Sequence, residues 1–358
     1  MIGKLALSHF RNFKRKNIKF SPQTTVIVGP NASGKTNVLE SLFLLSLGKS
    51  FRARVEEEMI NYNEEIARVI GVVGSKGAEQ TKLEVVLTRG EITVGEDPVK
   101  TEKVARKRLK VNGIGKRLID FTGNFRVVLF GPWDLEIVTE SPSVRRKFLD
   151  NVLSLVDREY RGAILSYEKG LRQRNRLLYR IREEGLPRSQ LLFWDRLLIK
   201  NGDYISETRR DFIEYTNNTE ALNDQEFSLD YDSSAISQAR IEQYSREEVA
   251  AATTLVGPHR DDFCFRLKKN KRARDLARYG SRGEQRMGVL WLKLAELGFV
   301  EEKTQEKPTL LLDDIFSELD HDHRDVVMKV VGNQQTIITT ADPHFVEEFV
   351  DIEKVELK

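Results

Sequence analysis

Gly29-Pro30-Asn31-Ala32-Ser33-Gly34-Lys35-Thr36 satisfies the pattern G-x-x-x-x-G-K-[ST]. The stretch before it, Thr25–Val28, is β-branched and apolar, and Asn37–Leu47 behind it has a helical pattern. Strand, glycine-rich loop and helix are the context in which this pattern cradles phosphate. Glycines let backbone N–H groups curl around phosphate oxygens, and the helix N-terminus adds its dipole. Lys35 supplies a point charge, and the Thr36 hydroxyl is a ligand for Mg²⁺. These residues define a nucleotide site.

Far downstream, Leu310-Leu311-Leu312-Asp313-Asp314 is an apolar strand ending in two carboxylates. A strand of this kind beside the phosphate-loop strand delivers Asp313 to the Mg²⁺ shell and leaves Asp314 to orient or deprotonate a water. Between Lys35 and Asp313 lie sequences long enough for an inserted lobe. The N-terminal part reads as strands at Ile2–Leu7, Ala67–Val73 and Leu83–Thr88. From Pro142 to Ile213 the pattern is helical. Leu171, Leu178 and Ile181 form an apolar stripe, and Arg172, Arg176 and Arg180 lie on another face. Asn217–Gln225 reads as a loop. Strands return at Thr254–Val256 and Phe263–Leu267, a helix at Glu284–Leu297, and strands at Thr309–Leu312 and Thr336–Thr339. The expected fold is α/β: a sheet lobe built from both termini (1–134 and 300–358) enclosing a mostly helical second lobe (135–299).

Composition sets the limits. The chain has 358 residues, 40% hydrophobic and 32% charged, which excludes a disordered or fibrous chain. One cysteine, Cys264, excludes a disulfide framework and reads as a packing residue. No window is apolar for long enough to span a bilayer, and a cytoplasmic location is expected. The net charge is only +3, but Lys100–Arg117, Val144–Arg182 and Arg266–Arg282 are strongly basic, while acids gather at Glu56–Glu65. The basic stretches suit a nucleic-acid backbone, and with no interleaved aromatics they favour a duplex or junction over stacked single strands. No groove-reading motif appears. His321-Asp322-His323 has no third ligand at metal spacing and reads as a helix start.

Tyr279-Gly280-Ser281-Arg282-Gly283-Glu284-Gln285-Arg286, Asp313-Asp314 and Ser317-Glu318-Leu319-Asp320 resemble the signature motif, Walker B site and D-loop of ABC-type ATPases. Further blocks make the chain similar to the RecF family from end to end. Early ones are Phe10-Arg11-Asn12-Phe13, Gly34–Glu40 and Gly48–Arg52. Later ones are Arg145–Asp150, Gln173-Arg174-Asn175, Trp194-Asp195 and Gly257–Phe263.

The resemblance implies an ABC-type head without a long coiled coil, and no segment here sustains heptads. It implies ATP and Mg²⁺ as ligands, with Gly29–Thr36, Asp313 and Asp314 in the roles above and Arg11 as a nucleotide contact. Ser281 and Gly283 would complete the site of a second copy, so that ATP clamps a homodimer on duplex or gapped DNA. Slow, DNA-stimulated hydrolysis would release it. Recombinational repair, replication-gap processing, the SOS response and the partners RecR and RecO follow from the same resemblance. A transporter nucleotide-binding subunit, a P-loop kinase and an SMC-like structural ATPase are the alternatives. A histidine usually follows the strand after the D-loop in ABC ATPases; here Thr339-Thr340-Ala341-Asp342 stands there, with His344 beyond. The Q-loop has no counterpart around Gln80.

Overall fold

The computed structural model describes residues 1–74, 79–94, 100–269, 272–317, 321–342 and 352–358. The chain divides into two compact units, Met1–Trp133 with Thr304–Lys358, and Asp134–Lys303. The N-terminal stretch runs β1 (Ile2–Phe10), β2 (Phe13–Lys19), β3 (Thr24–Val28), α1 (Lys35–Leu47), β4 (Ile66–Val73) and β5 (Thr81–Thr88). It continues through β6 (Glu91–Val94), β7 (Lys100–Lys103), β8 (Lys107–Val111), β9 (Ile114–Lys116), α2 (Leu118–Phe121) and β10 (Val127–Phe130). The middle holds α3 (Glu136–Thr139), α4 (Pro142–Val156), α5 (Arg158–Glu184), α6 (Leu192–Asn217), β11 (Glu226–Asp232), α7 (Gln238–Gln243) and α8 (Ser245–Ala251). After these come β12 (Asp262–Lys269), β13 (Arg272–Asp275), α9 (Leu276–Tyr279) and α10 (Arg282–Thr304). The chain closes with β14 (Thr309–Asp313), α11 (His321–Val330), β15 (Thr336–Thr340) and β16 (Ile352–Glu356).

The first unit contains two large sheets. One is antiparallel, in the order β2-β1-β4-β5-β8-β9, and the other is parallel, in the order β10-β14-β15-β3-β16. Helix α1 packs against strands of both. Its sequence is apolar nearly all round, as a helix covered on opposite sides must be, and Val38, Leu39, Leu42, Leu44 and Leu45 are fully buried. The parallel strands β3, β14 and β15 are buried at every position, which explains their unbroken apolar runs. One expectation is corrected here. The Asp313 strand is not beside the phosphate-loop strand, because β15 lies between them.

In the second unit the long helices α5 and α6 pack on each other, with α4 and α8 against α5 and a β11-β12-β13 sheet beside α6. Of the apolar stripe, Leu178 and Ile181 are buried and Leu171 is half-buried, and Arg172, Arg176 and Arg180 are exposed. Thr254–Val256 is not a strand. Thr254 is instead locked in irregular backbone by its neighbours: Arg174 Nη1 donates to Thr254 Oγ1 at 2.9 Å, and Thr254 donates both N–H and O–H to Asn175 Oδ1. Arg174 also pairs with Asp195 and Glu248 at 2.7 Å each. Arg209, equally buried, pairs with Asp150 at 2.8 Å and Asp261 at 2.9 Å. Buried charges persist only when paired and hydrogen-bonded. Several sequence blocks that a surface reading would call basic or acidic are therefore interior scaffolding.

Candidate nucleotide site

The parallel registers bring the candidate residues to one edge. Asp313 on β14 pairs with Thr339 on β15, and Thr339 pairs with Ile27 on β3. The loop Gly29–Gly34, Thr339 and the Asp313-Asp314 pair therefore leave the carboxyl ends of neighbouring strands, where open parallel sheets hold their ligands. Ala32 (φ 66°) and Gly34 (φ 103°) turn the loop through left-handed conformations. A Cβ on Gly34 would lie 2.7 Å from side-chain atoms of Asn12 and Phe13, and one on Gly29 would lie 2.6 Å from Leu357 O and Ser33 Oγ. Lys35 folds back to donate to Gly29 O at 2.7 Å and Pro30 O at 3.0 Å. The Ser33 hydroxyl is buried and has no hydrogen-bond partner among the described residues. No side chain caps α1 and its first turn carries no acid. Open N–H groups, an inward lysine and an unsatisfied hydroxyl fit a polyphosphate.

Thr339, in the segment where ABC ATPases usually place a histidine, ties the carboxylate of Asp313 to the backbone of Asp314. Its hydroxyl donates to Asp313 Oδ1 at 2.5 Å and accepts from Asp314 N–H at 3.1 Å. Asp314 follows β14 with φ 50°, a conformation that aspartate tolerates better than most residues. Sequence reading missed Thr339 as an organiser, because only the register shows that it faces Asp313.

Arg11 lies in the turn between β1 and β2 with φ 52°. Its guanidinium is bidentate on Glu40, at 2.8 and 2.6 Å, and donates to Glu58 O. Glu40 is the fully buried carboxylate of α1, and it also accepts from Arg52 at 2.9 Å and Ser50 Oγ at 2.6 Å. Burial works to raise its pKa, but hydrogen bonds from Arg11, Arg52 and Ser50 outweigh that and hold it below the usual value. Asn12, beside Arg11, donates to Ser33 O at 3.1 Å and accepts from Asn37 at 2.7 Å. The Phe10–Phe13 block thus braces the phosphate loop. Asn12 and Glu40 were the unassigned residues of blocks already noticed.

Ser281 and Gly283 begin α10 in the second unit. Ser281 Oγ accepts from Glu284 N–H at 3.2 Å while Glu284 accepts from Ser281 N–H at 2.8 Å, a reciprocal capping box that the spelling Ser-Arg-Gly-Glu encodes. Arg274 is ion-paired with Glu284. A Cβ on Gly283 would meet nothing within 4 Å, so its side is open. The D-loop residues Glu318, Leu319 and Asp320, and His344, lie outside the described residues.

This parallel sheet, its phosphate loop and the paired carboxylates define an ABC-type P-loop ATPase head. Residues 1–358 match the family model of the RecF/RecN/SMC N-terminal domain. The chain belongs to this family, and within it to the RecF proteins, being 35% identical to the DNA replication and repair protein RecF of Ligilactobacillus salivarius over 95% of this chain and 90% of that one. It is 34% identical to the RecF of Caldanaerobacter subterraneus subsp. tengcongensis, covering 97% and 95%. Among solved structures, the recombination mediator protein RecF-ATP of the RecFOR pathway superposes with a TM-score of 0.84 at 33% identity, covering 95% of this chain and 92% of that one. An Smc head domain from Pyrococcus furiosus shares the fold, with a TM-score of 0.54 at 16% identity, covering 100% and 94%. No helix among the described residues is long and apolar enough to cross a membrane.

Proposed function

We propose that this protein is an ATP-dependent DNA-binding ATPase of recombinational repair and replication-gap processing, acting as an ATP-clamped homodimer. The observation that carries the reading is the shared carboxyl edge, where phosphate loop, Thr339, Asp313 and Asp314 converge. ATP fits the loop, and Mg²⁺ suits the oxygen donors Thr36 and Asp313. Bound ATP and Mg²⁺ supply a phosphoryl group activated for transfer to water. Lys35 exchanges its two carbonyl partners for phosphate oxygens. Asp314 orients the water and takes its proton. Arg11, held by Glu40, keeps the loop and its base in place and contacts the nucleotide from that position. Ser281 and Gly283 present a helix N-terminus to the nucleotide of the second copy, an arrangement that suits an anion. Hydrolysis is slow and stimulated by DNA, and RecR and RecO are the partners that the RecFOR relatives suggest. The setting we propose is cytoplasmic.

Light scattering tests the clamp. The 41.2 kDa chain is expected to double in mass on adding ATP and Mg²⁺, and Ser281→Asp, which sets a carboxylate against phosphate, is expected to stay at the lower mass. No mass change in the wild type with any nucleotide overturns the clamp.

A further inference from the structure

The linear charge pattern pointed to three basic stretches, but the structure neutralises much of two of them. Arg106 and Lys107 pair with Glu57 and Glu56 at 2.6 and 2.8 Å. Arg266 pairs with Asp230 at 3.1 Å and Lys268 with Glu226 at 2.5 Å, and Arg274 is held by Glu284. A different cationic surface emerges only when the antiparallel sheet is assembled. Directly opposed residues of adjacent strands share a face. One cross-strand row of the outer face reads Lys19, Lys4, Val72, Lys82. Four residues further along β1, a second row reads Arg15, Ser8, Arg68, Val86, Arg108. The opposite face of the same strands carries Leu5, Leu7, Val69 and Val85, all buried, so these rows look outward.

All six cations of the two rows are exposed. Five of them lie within ion-pair distance of no carboxylate among the described residues; Arg68 alone has a partner, Glu84, which it shares with Lys110 at 3.5 and 3.4 Å. Glu84 is the only carboxylate among the paired positions of this face, in the middle row of Asn17, Ala6, Ile70, Glu84 and Lys110. The rows lie about 13 Å apart at about 3.3 Å per residue, and each crosses three or four strand gaps of about 4.8 Å. Two parallel cationic rails, with Asn17, Ala6, Ile70 and the Glu84–Lys110 pair between them, match two phosphate backbones flanking a groove, since the major groove is about 12 Å wide. A single strand offers one backbone and asks for aromatic platforms, and this face has none among the described residues.

We infer that the outer face of the six-stranded sheet is the surface that holds duplex DNA, with the Lys19-Lys4-Lys82 and Arg15-Arg68-Arg108 rows contacting opposite backbones. This rests on the proposed DNA-binding function and adds to it a surface and a choice of duplex. The test is anisotropy of a short labelled duplex with the full-length protein, ATP and Mg²⁺, over a salt series. The quadruple variant Lys4→Ala/Lys82→Ala/Arg68→Ala/Arg108→Ala is expected to bind far more weakly and to lower the log–log salt slope by about three to four, near 0.9 for each phosphate no longer neutralised. Arg266→Ala/Lys268→Ala, which removes cations already paired, should keep the wild-type slope.

An ATP-induced mass change and melting curve like the wild type's would show that the quadruple variant is folded and active. Wild-type affinity and slope in the quadruple variant overturn the assignment alone, as does loss of binding to phosphatidylserine vesicles with duplex binding intact. A wild type that binds no duplex overturns it together with the function on which it rests.

Discussion

His259 lies among buried groups of the second unit, and its two ring nitrogens have distinct partners. Thr254 O, 3.0 Å from Nε2, can only accept, so Nε2 carries the proton and Nδ1 accepts from the Tyr167 hydroxyl at 2.8 Å. A second proton on Nδ1 would displace the hydrogen bond that the Tyr167 hydroxyl donates there. Burial, with Arg260 and Arg146 nearby, pushes the His259 pKa down to about 4, against the pull of Thr254 O and Asp261. The sign of the linkage is set by the unfolded chain. Below about 6.5 the unfolded chain takes up a proton that the folded chain refuses until about pH 4. Stability therefore falls as the solution is acidified through that window, by about 2 kcal/mol between pH 7 and pH 5 from this residue. His259→Gln keeps an acceptor and a donor but does not titrate. Urea unfolding at both pH values should show the variant losing about 2 kcal/mol less than the wild type over the interval; equal losses would refute the assignment. Arg174 and Arg209 lie in the same interior, and helical spacing places them on the buried stripes, Arg174 with Leu178 and Ile181 and Arg209 with Ile205 and Phe212, where Arg172 and Arg176 do not fall. What the spacing does not show is the carboxylates that let a guanidinium stay there, because Asp195 and Glu248, and Asp150 and Asp261, come from far along the chain.

At the scale of elements, sequence periodicity was informative where one element carries its own signal. Strands β3 and β14, the phosphate loop, α1 and the long helices are all written locally. Three things were not. The order of the parallel strands is set by crossovers, so β15 was not foreseen between β3 and β14, nor Thr339 as the bridge to Asp313. The Thr254–Val256 segment has strand composition, but its hydrogen bonds go to Asn175 and Arg174. The cationic rails are spread over separate strands with period two, so although Arg108 falls within the basic stretch Lys100–Arg117, no one window of sequence shows the rows as a surface. The start of α10 shows two signals superposed. Ser281 is the residue matched to the signature motif and is also the N-cap. Its two roles separate by substitution, because Asp caps as well as Ser while Ala does not. Ser281→Ala should cost about 1 kcal/mol of stability and Ser281→Asp almost none. If Ser281→Asp melts as far below the wild type as Ser281→Ala does, the cap is not what anchors this turn, and loss of ATP-driven mass in that variant no longer reports on phosphate.

For the whole molecule, the phosphate loop with its carboxylates belongs to one unit and the Ser281 turn to the other. The proposed clamp uses both from each of two copies, so binding and turnover are separable steps, and Asp314 is where they part. Its backbone is fixed by β15, with its N–H bonded to Thr339 at both the hydroxyl and the carbonyl, 3.1 and 3.2 Å away. Asparagine enters left-handed backbone as readily as aspartate, so Asp314→Asn leaves this geometry intact while removing the carboxylate that would take a proton from water. General-base removal typically slows the step by about 10² to 10⁴. The expected result is a protein that binds ATP, doubles its mass and keeps it, with phosphate release reduced by at least that lower factor. Lys35→Arg should fail at the earlier step, with no mass change, since the larger planar guanidinium does not substitute for a compact ammonium at this buried place inside the loop. Light scattering and phosphate release on the same samples read both steps. An Asp314→Asn protein that stays monomeric at saturating ATP, while its melting temperature rises with nucleotide, would mean that ATP binds without recruiting the second copy. The signature turn would then serve some purpose other than completing a shared site.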